Sequence, residues 1–252
     1  MGNVQAKNRM QEMKLIGMLA HYDEKIALGQ KESWSFTEVV DSLVQAEYEY
    51  REVTGIERRV KNARFPKGSH MEDFDYTASR SVTRQEIKEL LNLKWIDQGR
   101  PLIFMGQTGI GKSFLAEALG RYACRNKKTA LFLDITQFIE LTGQARASGG
   151  YLKFRAKLAK PDVLIIDDFG ARKLNSTESQ DLKELLEDRC MGKSTVITTQ
   201  LPLDHWSEVV SDSVLLDAIT DLLDHSAVKL MFKGGSYRKV KAKKLDETAE
   251  KK

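Results

Sequence analysis

At 252 residues, with 41% apolar side chains, the chain is long enough to bury one sizeable core beside a smaller domain. Its longest apolar runs, such as VLII and LIFM, fall far short of the roughly 20 residues of a membrane-spanning helix, and the charges scattered through its first 24 residues do not read as a secretory signal. The net charge of +4 is unevenly distributed, with 11 basic and 10 acidic side chains in residues 1–70, 20 and 23 in residues 71–228, and 9 and 3 in residues 229–252. A mildly acidic body with a basic tail suits an anionic macromolecular partner and argues against a small acidic substrate. Cys124 and Cys190 have no motif spacing and read as reduced thiols, which places the chain in the cytoplasm.

Residues 1–64 contain no proline and carry helical periodicity. One apolar stripe runs through Met13, Ile16, Gly17, Leu19 and Ala20, and a second through Val39, Val40, Leu43, Val44 and Tyr48. A small all-helical domain over residues 1–70 follows from this pattern, a candidate for oligomer, partner or DNA contacts. It ends in GIERRVKNARFPKG, where Arg58, Arg59, Lys61, Arg64 and Lys67 face a single acid and Pro66-Lys67-Gly68 breaks the helix. Arg58 and Arg59 are candidate DNA contacts. Thr83 opens the next helix with a capping-box partner at Glu86, and Ile87, Leu90, Leu91 and Trp95 supply its buried face.

From residue 100 strands alternate with helices. PLIFMG, TALFLD, PDVLIID, STVITT and AVKLMF read as five strands, and SFLAEALGRYACRN as a helix with Leu115, Ala118, Leu119 and Tyr122 inward. Short, wholly apolar strands separated by helices predict a parallel five-stranded sheet covered on both faces, in a second domain spanning 71–240, with a charged tail at 241–252.

The strand LIFM runs into GQTGIGKS, residues 106–113, which fits G-x-x-x-x-G-K-[S/T]. Gly106, Gly109 and Gly111 permit a tight loop, completed by Gln107, Thr108 and Ile110, whose backbone N–H groups point at phosphates. Lys112 is placed to reach the terminal phosphates and the Ser113 hydroxyl to ligate magnesium, with Phe114 following on the helix. These residues are the expected ATP and Mg2+ site. Asp167, ending the strand VLII, is the second expected metal ligand, and Asp168 is placed to polarise a water aimed at the γ-phosphate. Thr199 and Gln200, at the end of STVITTQ, can reach the same phosphate. A guanine-reading N-K-x-D motif is absent: Asn126-Lys127-Lys128-Thr129 fails at its last position. A small-molecule kinase would leave the basic stretch 142–160 without purpose.

The blocks GMLAHYDE, VVDSLVQAEYEYRE, RRVKNARFP, LKWIDQGRPLIFMGQTGIGKS, LIIDDFG, STVITTQLP and KGGSYRK occur in the order seen in the IstB-type transposition helper ATPases. The chain resembles this family, a relative of the DnaC helicase loader within the AAA+ class, over roughly residues 10–240. The resemblance implies an AAA+ P-loop NTPase core behind a small all-helical N-terminal domain. It also implies an ATP-dependent homo-oligomer on double-stranded DNA that selects or remodels target DNA and stimulates a partner transposase. A DnaC-like helicase loader and a nucleotide-gated adaptor with negligible hydrolysis are the alternative readings. By the same resemblance Lys112 and Ser113 form the Walker-A pair, Asp167 and Asp168 the Walker-B pair, Thr199 and Gln200 the first sensor, and Arg238 the second. The family usually carries Asp-Arg-Leu where this chain has Asp221-Leu222-Leu223, so the arginine that would act on a neighbouring subunit's ATP is missing.

The stretch TGQARASGGYLKFRAKLAK, residues 142–160, holds five cations and no acid. Within it Lys153, Lys157 and Lys160 share one helical face, and Tyr151, Phe154 and Leu158 another. The resemblance places this segment as a helical insertion facing DNA. Arg146, Lys153, Arg155, Lys157 and Lys160 are therefore candidate phosphate contacts, salt-sensitive and indifferent to base sequence.

Overall fold

A computed structural model describes residues 2–76, 81–224, 226–235 and 237. The chain forms two compact units, residues 1–58 and 59–252.

The first unit is helical. It comprises α1 (Gly2–Glu12), α2 (Ile16–Lys31) and most of α3 (Phe36–Ala63), which runs on into the second unit. Gly17 marks where α2 meets α3 most closely, since a Cβ there would lie 2.5 Å from the Ala46 carbonyl oxygen. Glu47, buried on α3, accepts from the Met18 backbone N–H at 3.1 Å and from Arg51 at 2.6 Å, and so satisfies one of the orphan donors that begin α2. The two expected stripes are only partly inward. Gly17 and Leu43 are buried, but Met13, Ile16, Val40, Val44 and Tyr48 are exposed. A helix pair leaves one side of each helix to solvent, and periodicity cannot tell which apolar edge a neighbour covers.

The packing boundary lies at 58/59, ahead of the expected 1–70 boundary. Pro66-Lys67-Gly68 marks where helical conformation has ended, whereas packing changes partners earlier. Ala63 is wholly buried in the core of the second unit, Val60 and Phe65 pack against that core, and the Arg59 Nε donates to the Cys124 carbonyl at 2.8 Å. The basic block therefore splits. Residues 1–58 alone carry 7 basic and 10 acidic side chains, and most of the cations of GIERRVKNARFPKG belong to the second unit.

That unit is a three-layer α/β/α body on a five-stranded sheet, β1 (Leu102–Gly106), β2 (Ala130–Asp134), β3 (Val163–Phe169), β4 (Ser194–Thr199) and β5 (Val228–Phe232). The strands are ordered β2-β3-β4-β1-β5 and all pairs are parallel. Alternate residues enter opposite cores, as the pleat requires. Leu102 and Phe104 of β1 join one core with Phe132, Ile165 and Val196, beneath α4 (Arg84–Leu91), α5 (Lys94–Asp97) and α6 (Lys112–Arg125). Ile103 and Met105 join the other with Leu133, Ile166 and Ile197, beneath α7 (Ile135–Ala147), α8 (Tyr151–Ala159), α9 (Ser176–Arg189) and α10 (Ser213–Asp224).

The capping box Thr83–Glu86 forms as expected. The helix it opens does not reach Trp95. Leu93 takes a left-handed conformation at φ 58°, and the Asn92 side chain accepts from the Lys94 N–H at 2.8 Å. The Trp95 indole then donates to the Leu90 carbonyl at 2.9 Å, joining the Leu93 N–H (3.2 Å) on the same acceptor at the helix end.

Arg189 ends α9 with its side chain buried and facing carbonyls. Its guanidinium donates to Leu158 (3.2 Å), Ala159 (3.0 Å), Pro161 (2.9 Å) and Ser194, and to the Thr195 hydroxyl at 3.1 Å, so it joins the end of α8 to the start of β4. Replacement by Met keeps the stem and leaves these buried acceptors unpaired. Arg189→Met is expected to lower stability by about 3 kcal/mol or more in denaturant unfolding; a decrease below about 1 kcal/mol would show the carbonyls to be solvated.

Candidate functional site

The site lies at the carboxyl edge of the sheet, where β1, β3 and β4 all end. Gly106 closes β1 at φ 144°, and a Cβ there would stand 2.4 Å from the Phe232 carbonyl oxygen, so no other residue fits. Gly109 and Gly111 follow at φ 78° and 113° and turn the loop back so that α6 begins at Lys112. Ile110 is wholly buried in the first core and anchors the loop from below. Thr108, Gly109, Gly111, Lys112, Ser113 and Phe114 line a cavity of about 840 Å³, a size suited to a nucleotide. Gly106, Gln107 and Ile110 shape the loop without lining that cavity.

Lys112 is almost fully buried and donates to the Gly106 and Gln107 carbonyls at 2.7 and 3.0 Å. Burial pulls its pKa down, while Asp168 and Asp167 oppose that shift. A buried ammonium held by two neutral carbonyls is well prepared to accept an anion. Across the cavity, burial raises the Asp167 pKa, opposed by hydrogen bonds from Thr198 and Ser113 and by the Lys112 charge. Ser113 and Asp167 line the same cavity, the pair expected to hold magnesium. An oxygen-only pair with one buried carboxylate suits that hard cation.

Asp168 is exposed to the cavity and takes φ 53°, left-handed for a residue with a side chain. The ladder explains this. Ile166 pairs with Ile197 and Phe169 with Thr199, so Asp167 and Asp168 together oppose Thr198 alone, as in a β-bulge. The extra residue sends one aspartate into the site and exposes the other.

The bulge also decides where the residues of the expected first sensor stand. Thr199 is wholly buried, and its hydroxyl is engaged with Leu201, accepting from the N–H at 3.1 Å. It does not line the cavity, whereas Gln200 does. Thr198 donates to Asp167 instead. STVITTQ contains three threonines, and only the register across the bulge separates them.

Three further walls had no local signal. Residues Pro66–Ser69 border the cavity, fixed by Glu117 on α6, which accepts from the Lys67 N–H (3.2 Å), the Ser69 N–H (3.4 Å) and the Ser69 hydroxyl (2.9 Å). Asp73 and Asp75 line a second side. Tyr237 closes a third: its N–H donates to the Gly109 carbonyl at 2.9 Å and its hydroxyl to Asp75 at 3.2 Å. Arg238 and the tail 241–252 lie outside the described residues.

The candidate DNA cations separate into two kinds. Arg146 is bidentate on the buried Asp181, with its Nε 3.0 Å from both carboxylate oxygens, and stacks 3.9 Å over the Tyr151 ring. Arg155 pairs with Glu184 and, at 2.8 Å, with Asp188. Both arginines latch the arm to α9, and both leave the set of free phosphate contacts. Arg59 is bound to the Cys124 carbonyl. Lys153, Lys157 and Lys160 are exposed on one side of α8, and Arg58 is exposed on α3.

Sheet order, P-loop and strand-end carboxylates define a P-loop nucleotide-binding protein of the AAA+ class. The fold is similar to AMPPCP-bound DnaA from Aquifex aeolicus (TM-score 0.58, 17% identity, 73% of this chain and 56% of that one). Domain III of the Thermotoga maritima replication initiation protein DnaA is similar too (TM-score 0.54, 23% identity, 74% and 76%). Residues 8–245 match the family model of the IstB-like ATP binding proteins. An insertion-sequence protein of Sinorhizobium fredii named for ATP binding is 33% identical over 237 residues, 94% of this chain and 97% of the relative. A counterpart from Pseudomonas fluorescens is 34% identical over 196 residues, 77% and 85%. The chain belongs to the IstB-like ATP-binding protein family. Among the described residues no helix is long and apolar enough to cross a membrane.

Removing the Lys112 charge is expected to weaken ATP binding by about 100-fold or more, measured by nucleotide titration of Lys112→Ala, because the phosphates then meet no cation in a dehydrated site. Unchanged affinity would place the nucleotide elsewhere. Asp168→Asn should leave ATP affinity within about twofold while hydrolysis falls.

Proposed function

We propose that this chain is an ATP-dependent DNA-binding helper of transposition, which assembles as a homo-oligomer on duplex DNA and stimulates a partner transposase. The observation that carries the reading is the exposed lysine face of α8, Lys153, Lys157 and Lys160, on an arm that leads within a few residues into the strand bearing Asp167. The arm's other side is fixed to α9, so the lysines stand on a rigid support. The unit 1–58 has a net excess of three acids and is poorly suited to phosphates, which leaves α8 as the better DNA face. Membership of an insertion-sequence family supports the transposase as partner.

When bound, magnesium neutralises charge on the ATP phosphates and orients them for attack. The chain's own residues perform the remaining tasks. Lys112 holds the terminal phosphates, Ser113 and Asp167 hold the cation, Asp168 accepts a proton from the attacking water, and Gln200 contributes a polar contact at the same edge. Arg238 is proposed as the second sensor on the strength of the family resemblance.

Lys153→Ala with Lys157→Ala should weaken binding of two unrelated duplexes equally and flatten the slope of log affinity against log salt by about one unit for each phosphate no longer neutralised. Arg155→Ala should act chiefly on stability. An unaltered salt slope in the lysine variant would return α8 to an ordinary solvated surface.

Leu222 bears on rate. It is half-buried against the second core and carries no charge for a neighbouring subunit's phosphate. An arginine finger contributes about 10³–10⁵ in rate, so hydrolysis by the assembled chain is expected to be slow and its ATP state long-lived. Leu222→Arg should raise DNA-stimulated turnover about tenfold or more, since its stem can retain the apolar packing while its head reaches solvent. An ordinary rate in the unmodified chain would mean that another residue supplies the charge.

A further inference from the structure

Thr198 has a second role beyond filling a strand position. It is wholly buried, and its hydroxyl makes two hydrogen bonds to neighbouring residues of β3. It donates to Oδ1 of Asp167 and accepts from the backbone N–H of Asp168 at 3.0 Å. A hydroxyl has one proton and two lone pairs, so both bonds run at once. The bulge makes this arrangement necessary. With two residues of β3 opposite one of β4, the Asp168 N–H has no regular ladder partner, and a buried amide without a partner is costly. Its left-handed φ of 53° is itself unfavourable for a residue with a Cβ.

The other threonines of β4 do not substitute for it. Thr195 accepts from the buried Arg189, and Thr199 is turned onto Leu201. We infer that Thr198 is a positioning residue that holds the carboxylate of Asp167 and the backbone of Asp168 as one unit, so that the cation-holding group and the water-orienting group keep a fixed relation. This rests on the nucleotide reading of the cavity. Thr198 itself does not line the cavity. It acts through Asp167 and Asp168.

The isostere valine keeps the branched shape and abolishes both bonds, whereas serine keeps the hydroxyl and removes a methyl. The full chain, Thr198→Val, Thr198→Ala and Thr198→Ser are compared by ATP titration in EDTA and in Mg2+, by DNA-stimulated turnover, and by thermal unfolding. In EDTA the affinity of the valine and alanine variants should stay within about twofold of the unmodified chain, since Lys112 and the loop are untouched. The gain in affinity brought by Mg2+ should shrink at least threefold and turnover should fall about tenfold. Serine should restore both readouts to within about threefold.

Equal Mg2+ gain and equal turnover in valine and the unmodified chain would overturn the inference. So would a serine variant as impaired as valine, which would assign the effect to the methyl group. An equal fall of affinity in EDTA would point to general collapse of the site and also overturn it. An unmodified chain that binds no ATP under either condition would instead refute the nucleotide reading and remove the basis of this one.

Discussion

Parallel pairing of β1 with β4 and of β4 with β3 is what brings the site into being. A parallel sheet sends every strand's carboxyl end to the same edge, so the loops leaving β1, β3 and β4 must meet there. Residues 106–113, 167–168 and 198–200 are far apart in the chain and come together at that edge for this reason alone. The pairing is held by apolar residues that alternate between two buried cores, and the polar groups of the site stand where β1, β3 and β4 run out.

The cavity is assembled from charges that a folded interior would normally exclude. Lys112 and Asp167 are both buried, and burial disfavours the charged form of each. Each charge is tolerated because oriented partners are close: carbonyls and the two aspartates for Lys112, and hydroxyls and Lys112 for Asp167. A site prepared in this way gains more from a bound anion and cation than a solvated one would, because its partners are already ordered and dehydrated.

Charge on the insertion is divided by the geometry of its cations. Guanidinium groups, planar and able to make two parallel bonds, are taken up by the carboxylates of α9. Ammonium groups on flexible stems are left at the surface. The insertion can thus be docked and cationic at once, and both properties come from nineteen residues without an acid among them. Arg189 completes the attachment from the other end by holding the last carbonyls of α8. The arm is thus attached both to α9 and to the start of β4, the strand whose far end reaches the site.

The strands, their parallel arrangement, the loop 106–113 and the family were all legible in the order of residues. Apolar runs too short for anything but buried strands, glycines at fixed offsets and a lysine at a helix start are local signals that need no partner to be read. The change of packing at 58/59 was not legible, because a helix can continue unbroken while its surroundings change. Nor was the choice among the threonines of STVITTQ, since one extra residue in β3 shifts every later pairing between those strands and so selects Thr198 for Asp167. The fates of Arg146 and Arg155 were equally hidden. Their partners, Asp181, Glu184 and Asp188, lie about thirty residues on, and a cation's role depends on whether a carboxylate stands within hydrogen-bond reach in the folded chain.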